Sequence, residues 1–175
     1  MAAMAELPGG YRMAPLHEED AVAALRVFNE HVTSGFAAYA EEEVPESFIL
    51  GLLHSAAGYP AIGVEDESGA LIGFGLLRPY SPISAFEHTA VETIFLSQAH
   101  TGRGLGSAVL DRLLEGAWEK GLTRVLAHIS SKNRGSVRFH ARHGFVECGR
   151  FPGVARKWDE TFDIVWMVKA LDSPS

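Results

Sequence analysis

The chain has 175 residues, 47% of them hydrophobic and 21% charged, with a formal net charge of −7. That is length enough for one domain with a real core, and the acidic balance weighs against nucleic acid as a partner. No apolar run approaches a membrane span, no charged-then-apolar signal opens the chain, and one cysteine, Cys148, excludes an internal disulfide, so a reducing cytoplasm is expected. Cys148 itself reads as a buried structural thiol. Residues 1–10 and Asp172–Ser175 read as loose tails around a single domain over residues 11–171.

In chain order, Tyr11–Leu16 reads as a first strand. A helix follows over Glu18–His31, with acids at its start, where the helix dipole favours them, and an apolar stripe of Ala21, Leu25 and Phe28. Thr33–Val44 has a loop composition with aromatic residues, and its acid run Glu41–Glu43 reads as a solvated face. Pro45 opens a second helix through His54. Pro60–Glu65 and Ala70–Leu77 form a predicted hairpin around Glu67-Ser68-Gly69, and Arg78–Glu87 a loop. Thr89–Leu96 is a β-rich run with a single carboxylate, Glu92. A polar turn over Ser97–Gly104 leads into an amphipathic helix, Leu105–Lys120, with Leu105, Val109, Leu113 and Ala117 on its apolar side. Gly121 ends that helix; a short buried strand (Arg124–Ile129), a helix (Arg134–His143) and two closing strands (Phe145–Phe151 and Phe162–Leu171) complete a mixed α/β domain.

The chemistry is concentrated in the middle. A strand, a turn with Gly102, Gly104 and Gly106, and a helix together make an anion holder, because the helix start offers unpaired N–H groups and glycines let a phosphate approach the backbone. A nucleotide-triphosphate loop is excluded, since no lysine follows the glycines. A dinucleotide fingerprint fits poorly, since Ser107 or Val109 falls at its third glycine. From Lys120 to Val146 there is no acidic residue, and Arg134, Arg138 and Arg142 fall on one helical ridge. On an acidic protein this suggests an anionic ligand near that helix, or a solvated helix face. Glu92 shares a strand face with Ala90, Ile94 and Leu96. A carboxylate there is either at a rim or desolvated, and desolvation would raise its pKa toward that of a general base.

Thr101-Gly102-Arg103-Gly104-Leu105-Gly106 resembles the acyl-CoA loop, Q/R-x-x-G-x-G/A, of the GCN5-related N-acetyltransferases, with Thr101 at the usual Gln or Arg. Val91-Glu92, the run Asn133–Phe145 (like N-x-x-S-x-x-L-H-x-x-x-G-F) and Lys157-Trp158 through Asp163 to Met167 are similar to the phosphinothricin acetyltransferase-like branch. The resemblance implies the acyl-CoA acyltransferase fold, with a central mixed, mostly antiparallel sheet flanked by helices. It also implies acetyl-CoA as co-substrate, no metal, a small amine as acceptor, no membrane partner and a homodimer. It assigns Glu92 as general base and His140 as proton donor to the leaving thiolate; taken alone, a helical histidine is more often structural, and the quoted motif brings the two readings level. Ile94, Phe95 and Leu96 would pair with the cofactor arm through backbone N–H groups, and Gly102, Arg103, Gly104, Leu105, Gly106 and Ser107 would hold the pyrophosphate. Asn133 is a cofactor contact or a helix cap, and Arg138 a phosphate contact. Phe36, Tyr39, Arg78, Tyr80 and Trp158 would line the acceptor site, with Arg78 holding an acidic group. The acceptor expected is amino-acid-like. A polyamine, a protein terminus and a non-catalytic acyl-CoA binder are the alternatives.

Overall fold

The computed structural model describes residues 5–171. Its frame is one eight-stranded sheet in the order β1-β2-β3-β4-β5-β6-β8-β7. The strands are β1 (Ala5–Leu7), β2 (Tyr11–Pro15), β3 (Ala61–Glu65), β4 (Leu71–Pro79), β5 (Thr89–Leu96), β6 (Arg124–Ser130), β7 (Val146–Lys157) and β8 (Glu160–Ala170). Every neighbouring pair is antiparallel except β5 and β6. The parallel step follows from the connection, since α3 (Leu105–Glu119) crosses over between those two strands. The other helices are α1 (Ala21–Ser34), α2 (Glu46–Ser55) and α4 (Arg134–Arg142).

Two cores sandwich the sheet. On one face, Val109, Leu110, Leu113 and Ala117 of α3 pack on Val125, Ala127 and Met167. On the other, Ala24, Phe28 and Val32 of α1 and Ile49 of α2 pack on Phe74 and Leu76. Alternate residues of β4 and β5 serve opposite cores, as a sheet covered on both faces requires.

Several sequence expectations change. Ala5–Leu7 pairs with β2, so ordered chain begins ahead of Tyr11; the remaining tail positions, 1–4 and 172–175, lie outside the described residues. The first helix starts at Ala21, after a 3-10 turn over Glu18–Asp20, and buries Ala24 and Val27 rather than Leu25. Cys148 is exposed, because β7 is the outer strand and its register slips between Glu147 and Gly149. β7 and β8 are longer than expected and meet at a two-residue turn, Trp158-Asp159, with φ of 50° and 61°. Both residues occupy the left-handed region that a tight hairpin needs, and neither is the usual Asn or Gly.

Candidate active site

The site exists because one ladder stops. β5 and β6 pair only at Thr89–Val91 against Arg124–Leu126. Beyond Val91, β5 continues to pair with β4 to Leu96, and β6 continues with β8 to Ser130, so their facing edges are unladdered. In a strand every second N–H faces such an edge, which leaves donors of Glu92–Leu96 for something other than sheet. A slot of about 340 Å³ lies there, and Tyr39, Arg78, Glu92, His128, Asn133 and His140 are among its lining residues.

Glu92 and His140 meet in this slot, though they come from elements 48 residues apart. Glu92 Oε1 stands 2.9 Å from His140 Nε2, and both residues are buried, at 7% and 4% exposure. His140 Nδ1 donates to the Ser136 carbonyl at 2.8 Å, one helical turn back. With Nδ1–H spent on a carbonyl, the proton between Nε2 and Oε1 is shared by the pair. Burial by itself would lower the His140 pKa. The hydrogen bond and charge of Glu92, with help from the Ser136 carbonyl, overcome it and raise the value. Glu92 Oε2 is buried and has no hydrogen-bond partner among the described residues, so the carboxylate keeps an acceptor to offer.

Both ring nitrogens of His140 are committed, which leaves no free N–H for a departing thiolate while the pair is intact. The raised pKa has a sign that can be checked. Stability from the pair is fully present below the ordinary histidine value of ~6.5 and is lost as pH rises through the folded value. Melting from about pH 5 to about pH 9 should show wild type declining toward the alkaline side more than His140→Gln. Equal slopes would unlink the pair from stability.

The glycine turn lies at the start of α3. Gly104 is the cap, at φ 81°, with no side chain bonded to the helix start, so the first-turn N–H groups of Leu105, Gly106 and Ser107 lack side-chain acceptors. A Cβ built on Gly102 (φ 75°) or Gly104 would meet nothing within 4 Å, so the space before the loop is open. Arg103 turns away, donating to the Tyr11 hydroxyl at 2.9 Å. Leu105 is a core side chain, so only its backbone can serve a ligand. Ser107 Oγ stands 3.0 Å from His143 Nε2, which ties the loop to α4.

A family model described as acetyltransferase (GNAT) family matches residues 24–145. The chain belongs to this family. It is 28% identical over 155 residues to the L-amino acid N-acyltransferase MnaT of Escherichia coli, spanning 87% of this chain and 90% of that one. It is 31% identical over 115 residues to the L-methionine sulfoximine/L-methionine sulfone acetyltransferase of Pseudomonas aeruginosa, spanning 66% and 67%. A phosphinothricin acetyltransferase from Sinorhizobium meliloti, solved in complex with acetyl-CoA, has the same fold, with a TM-score of 0.86 at 24% identity over 93% of this chain and 89% of that one. The protein is thus a GNAT N-acyltransferase of the phosphinothricin acetyltransferase-like kind, and acetyl-CoA occupies structures of its homologues.

For a GNAT enzyme, the residues present fit a CoA thioester. The unladdered edge of β5 suits an extended amide-bearing arm, and the open α3 start suits a pyrophosphate. Ile94 and Phe95 line the slot, while Leu96 lies past it, its carbonyl bonded to His31 Nε2 at 2.7 Å. Asn133 fits both of its readings: it lines the slot and caps α4 by accepting from Ser136 N–H at 3.2 Å. Arg138 is not brought to the glycine loop. With Arg134, Lys132 and Arg150 it lines a separate surface depression, while Phe139 and His143 turn toward α3.

On the acceptor side, Tyr39 and Arg78 line the slot, but Phe36, Tyr80 and Trp158 do not. Phe36 packs its edge against Trp158 and Phe162. Tyr80, 44% exposed, meets Phe86 and Trp166 edge to face. His128 escaped the sequence reading. It sits on β6 in the slot, 3.0 Å from the Tyr39 hydroxyl. The available signal was a lone histidine within a short apolar strand, which apolar periodicity treats as an interruption. Among the described residues, no group of three or more His, Cys, Asp or Glu could hold a metal, and no helix is long and apolar enough to cross a membrane.

Gly104→Val tests the loop. A β-branched residue at φ 81° costs about 1–3 kcal/mol in backbone strain and places methyl groups where the phosphate would approach. Acetyl-CoA affinity should drop markedly with the fold retained. Unchanged affinity by calorimetry would take the loop out of the cofactor site.

Proposed function

We propose that this enzyme transfers an acetyl group from acetyl-CoA to the primary amine of a small, amino-acid-like acceptor carrying an acidic group. The observation that carries this reading is the slot itself, which is lined by both the buried Glu92–His140 pair and Arg78. Acetyl-CoA supplies the activated acyl group as a thioester. The backbone N–H of Ile94, which faces the unladdered edge, would bind its arm, and those of Leu105–Ser107 its pyrophosphate, while the N–H of Phe95 faces β4.

Glu92 takes the amine's proton through Oε2, directly or through a water. His140 holds the carboxylate in place and balances its charge, since a buried carboxylate without a counter-charge would be strongly disfavoured. Arg78 receives the carboxylate or phosphinate of the acceptor through a charge-assisted hydrogen bond from its guanidinium. The named relatives support the acceptor class, because their printed activities concern L-amino acids and methionine sulfoximine or sulfone. The homodimer implied by the family resemblance belongs to the same reading, and sedimentation velocity would read it.

The test is an acceptor screen with acetyl-CoA, following free-thiol release and product mass over amino acids, polyamines and N-terminal peptides. Acidic amino compounds should lead. Arg78→Ala should raise KM for them by about 10- to 100-fold, the scale of a hydrogen bond to a charged group, with little change for acetyl-CoA. A best substrate with no anionic group would end the acidic-acceptor reading, and no thiol release with any amine would favour an acyl-CoA binder.

A further inference from the structure

His128 holds a position in the slot that the proposed chemistry leaves unused. Four elements face its ring. The Tyr39 hydroxyl approaches from the α1–α2 loop, Arg78 Nη2 from β4 at 3.5 Å, the Glu92 charge from β5 and the Trp166 ring from β8.

The hydrogen bonds fix its tautomer. The Tyr39 hydroxyl lies 3.0 Å from His128 Nδ1 and 3.0 Å from the His128 carbonyl oxygen. A carbonyl can only accept, so the hydroxyl hydrogen goes there. The hydroxyl oxygen must then accept from Nδ1–H. That leaves the lone pair on Nε2, the nitrogen turned to Arg78, where it accepts rather than donates. The charge state agrees. Burial, and next the Arg78 charge, lower the His128 pKa, with Glu92 opposing, so the free enzyme presents a neutral imidazole beside a guanidinium.

We propose that His128 and Arg78 together form the receptor for the acceptor's acidic group, and that His128 Nε2 takes up one proton when that group binds. The anion accepts one hydrogen bond from Arg78 and one from the new Nε2–H. No covalent bond changes. Solvent supplies the proton, and the anion's charge offsets the Arg78 charge that, after burial, had helped keep the imidazole neutral. An uncharged analogue offers no such offset, so it leaves His128 neutral with Nε2 unable to donate. Discrimination between an acid and its amide is therefore larger than one arginine gives, and it weakens as pH rises. The proposal rests on the acceptor being an acidic amino compound.

The experiment uses the amino acid with the highest kcat/KM in the acceptor screen (L-methionine sulfone is the first probe), its carboxamide and its N-acetylated product. The product keeps the carboxylate but has no ionisable amine. Calorimetry of its binding in two buffers of different ionisation enthalpy should show proton uptake approaching one per site in wild type and none in His128→Gln. The acid-to-amide ratio of kcat/KM should fall about 10- to 100-fold in His128→Gln, the scale of a lost charged hydrogen bond. Tyr39→Phe leaves the imidazole in place but frees its tautomer, so it should give a smaller loss of the same ratio.

Three results separate the failures. Equal proton uptake in wild type and His128→Gln, with the ratio kept, overturns the role of His128 while Arg78→Ala still tests the acidic acceptor. No acid preference in wild type overturns both. A destabilised His128→Gln is caught by its melting curve, and Tyr39→Phe then decides: a wild-type ratio and wild-type uptake in that variant overturn the proposal.

Discussion

Glu92→Gln should lower kcat by roughly 10²–10⁴-fold, the range for removal of a general base, and leave acetyl-CoA affinity where it was. The substitution is nearly isosteric, and the fold should tolerate it. His140 then becomes a neutral imidazole, still donating through Nδ1 to Ser136, and its Nε2 accepts from the new amide in place of sharing a proton with Oε1. What disappears is the basicity at the Oε2 position, which among the described residues has no other partner: the amide oxygen left there can accept a hydrogen bond but cannot take the amine's proton. An amine reaches the site mostly as a cation near neutrality, so without a base the rate should follow the free-amine fraction. Activity of Glu92→Gln should therefore recover in part at high pH. The acidic limb of the wild-type kcat/KM profile should shift or vanish in the variant if Glu92 produces it, and persist if the amine's own ionisation does. His140→Gln should lower the rate less, because it removes the partner and not the acceptor oxygen. A Glu92→Gln enzyme with wild-type rate and pH profile would make the pair structural and hand the proton to another group.

The way these residues came together explains what could be read in the sequence. The β5 strand, the glycine turn and α3 were legible because each follows local rules: alternation, positive-φ glycines and a 3.6-residue apolar period. Glu92 was legible as a lone carboxylate on an apolar strand face. That it pairs with His140 was not, because the contact joins residues 48 apart, and no local pattern encodes which histidine nitrogen meets which oxygen. Arg138 fell on the expected ridge, but the ridge turned to a different neighbour, since spacing fixes which residues share a face and not what that face meets. Trp158 and Phe36 were aromatic residues in the right region, yet they meet edge to face with each other, outside the slot. His128 acquires meaning only from Tyr39 and Arg78, which arrive from the α1–α2 loop and from β4.

Lys157→Met should carry the largest stability loss that bears on the site. Lys157 is fully buried at the end of β7, and its ammonium donates to the carbonyls of Val32, Gly35 and Ala38 at 2.6, 2.6 and 2.9 Å. Three donations require the charged form, even though burial lowers its pKa with Glu41 opposing. Val32 lies in the last turn of α1, where carbonyls lack helical partners and a cation suits the dipole. Gly35 and Ala38 belong to the segment that carries Tyr39, so one side chain ties the far hairpin to the acceptor loop. Methionine keeps most of the packing but donates nothing. Each buried acceptor left unpaired costs about 1–3 kcal/mol, so a loss on the order of 3 kcal/mol is expected. For a chain of this size that is about 6–12 °C in Tm. The functional mark is separable from the stability loss. With the loop untied, Tyr39 no longer holds the His128 tautomer, and KM for the acceptor should rise well before KM for acetyl-CoA moves. A variant with a lowered Tm and both KM values unchanged would confine Lys157 to stability, and a wild-type Tm would mean that water replaces the ammonium at these carbonyls without loss.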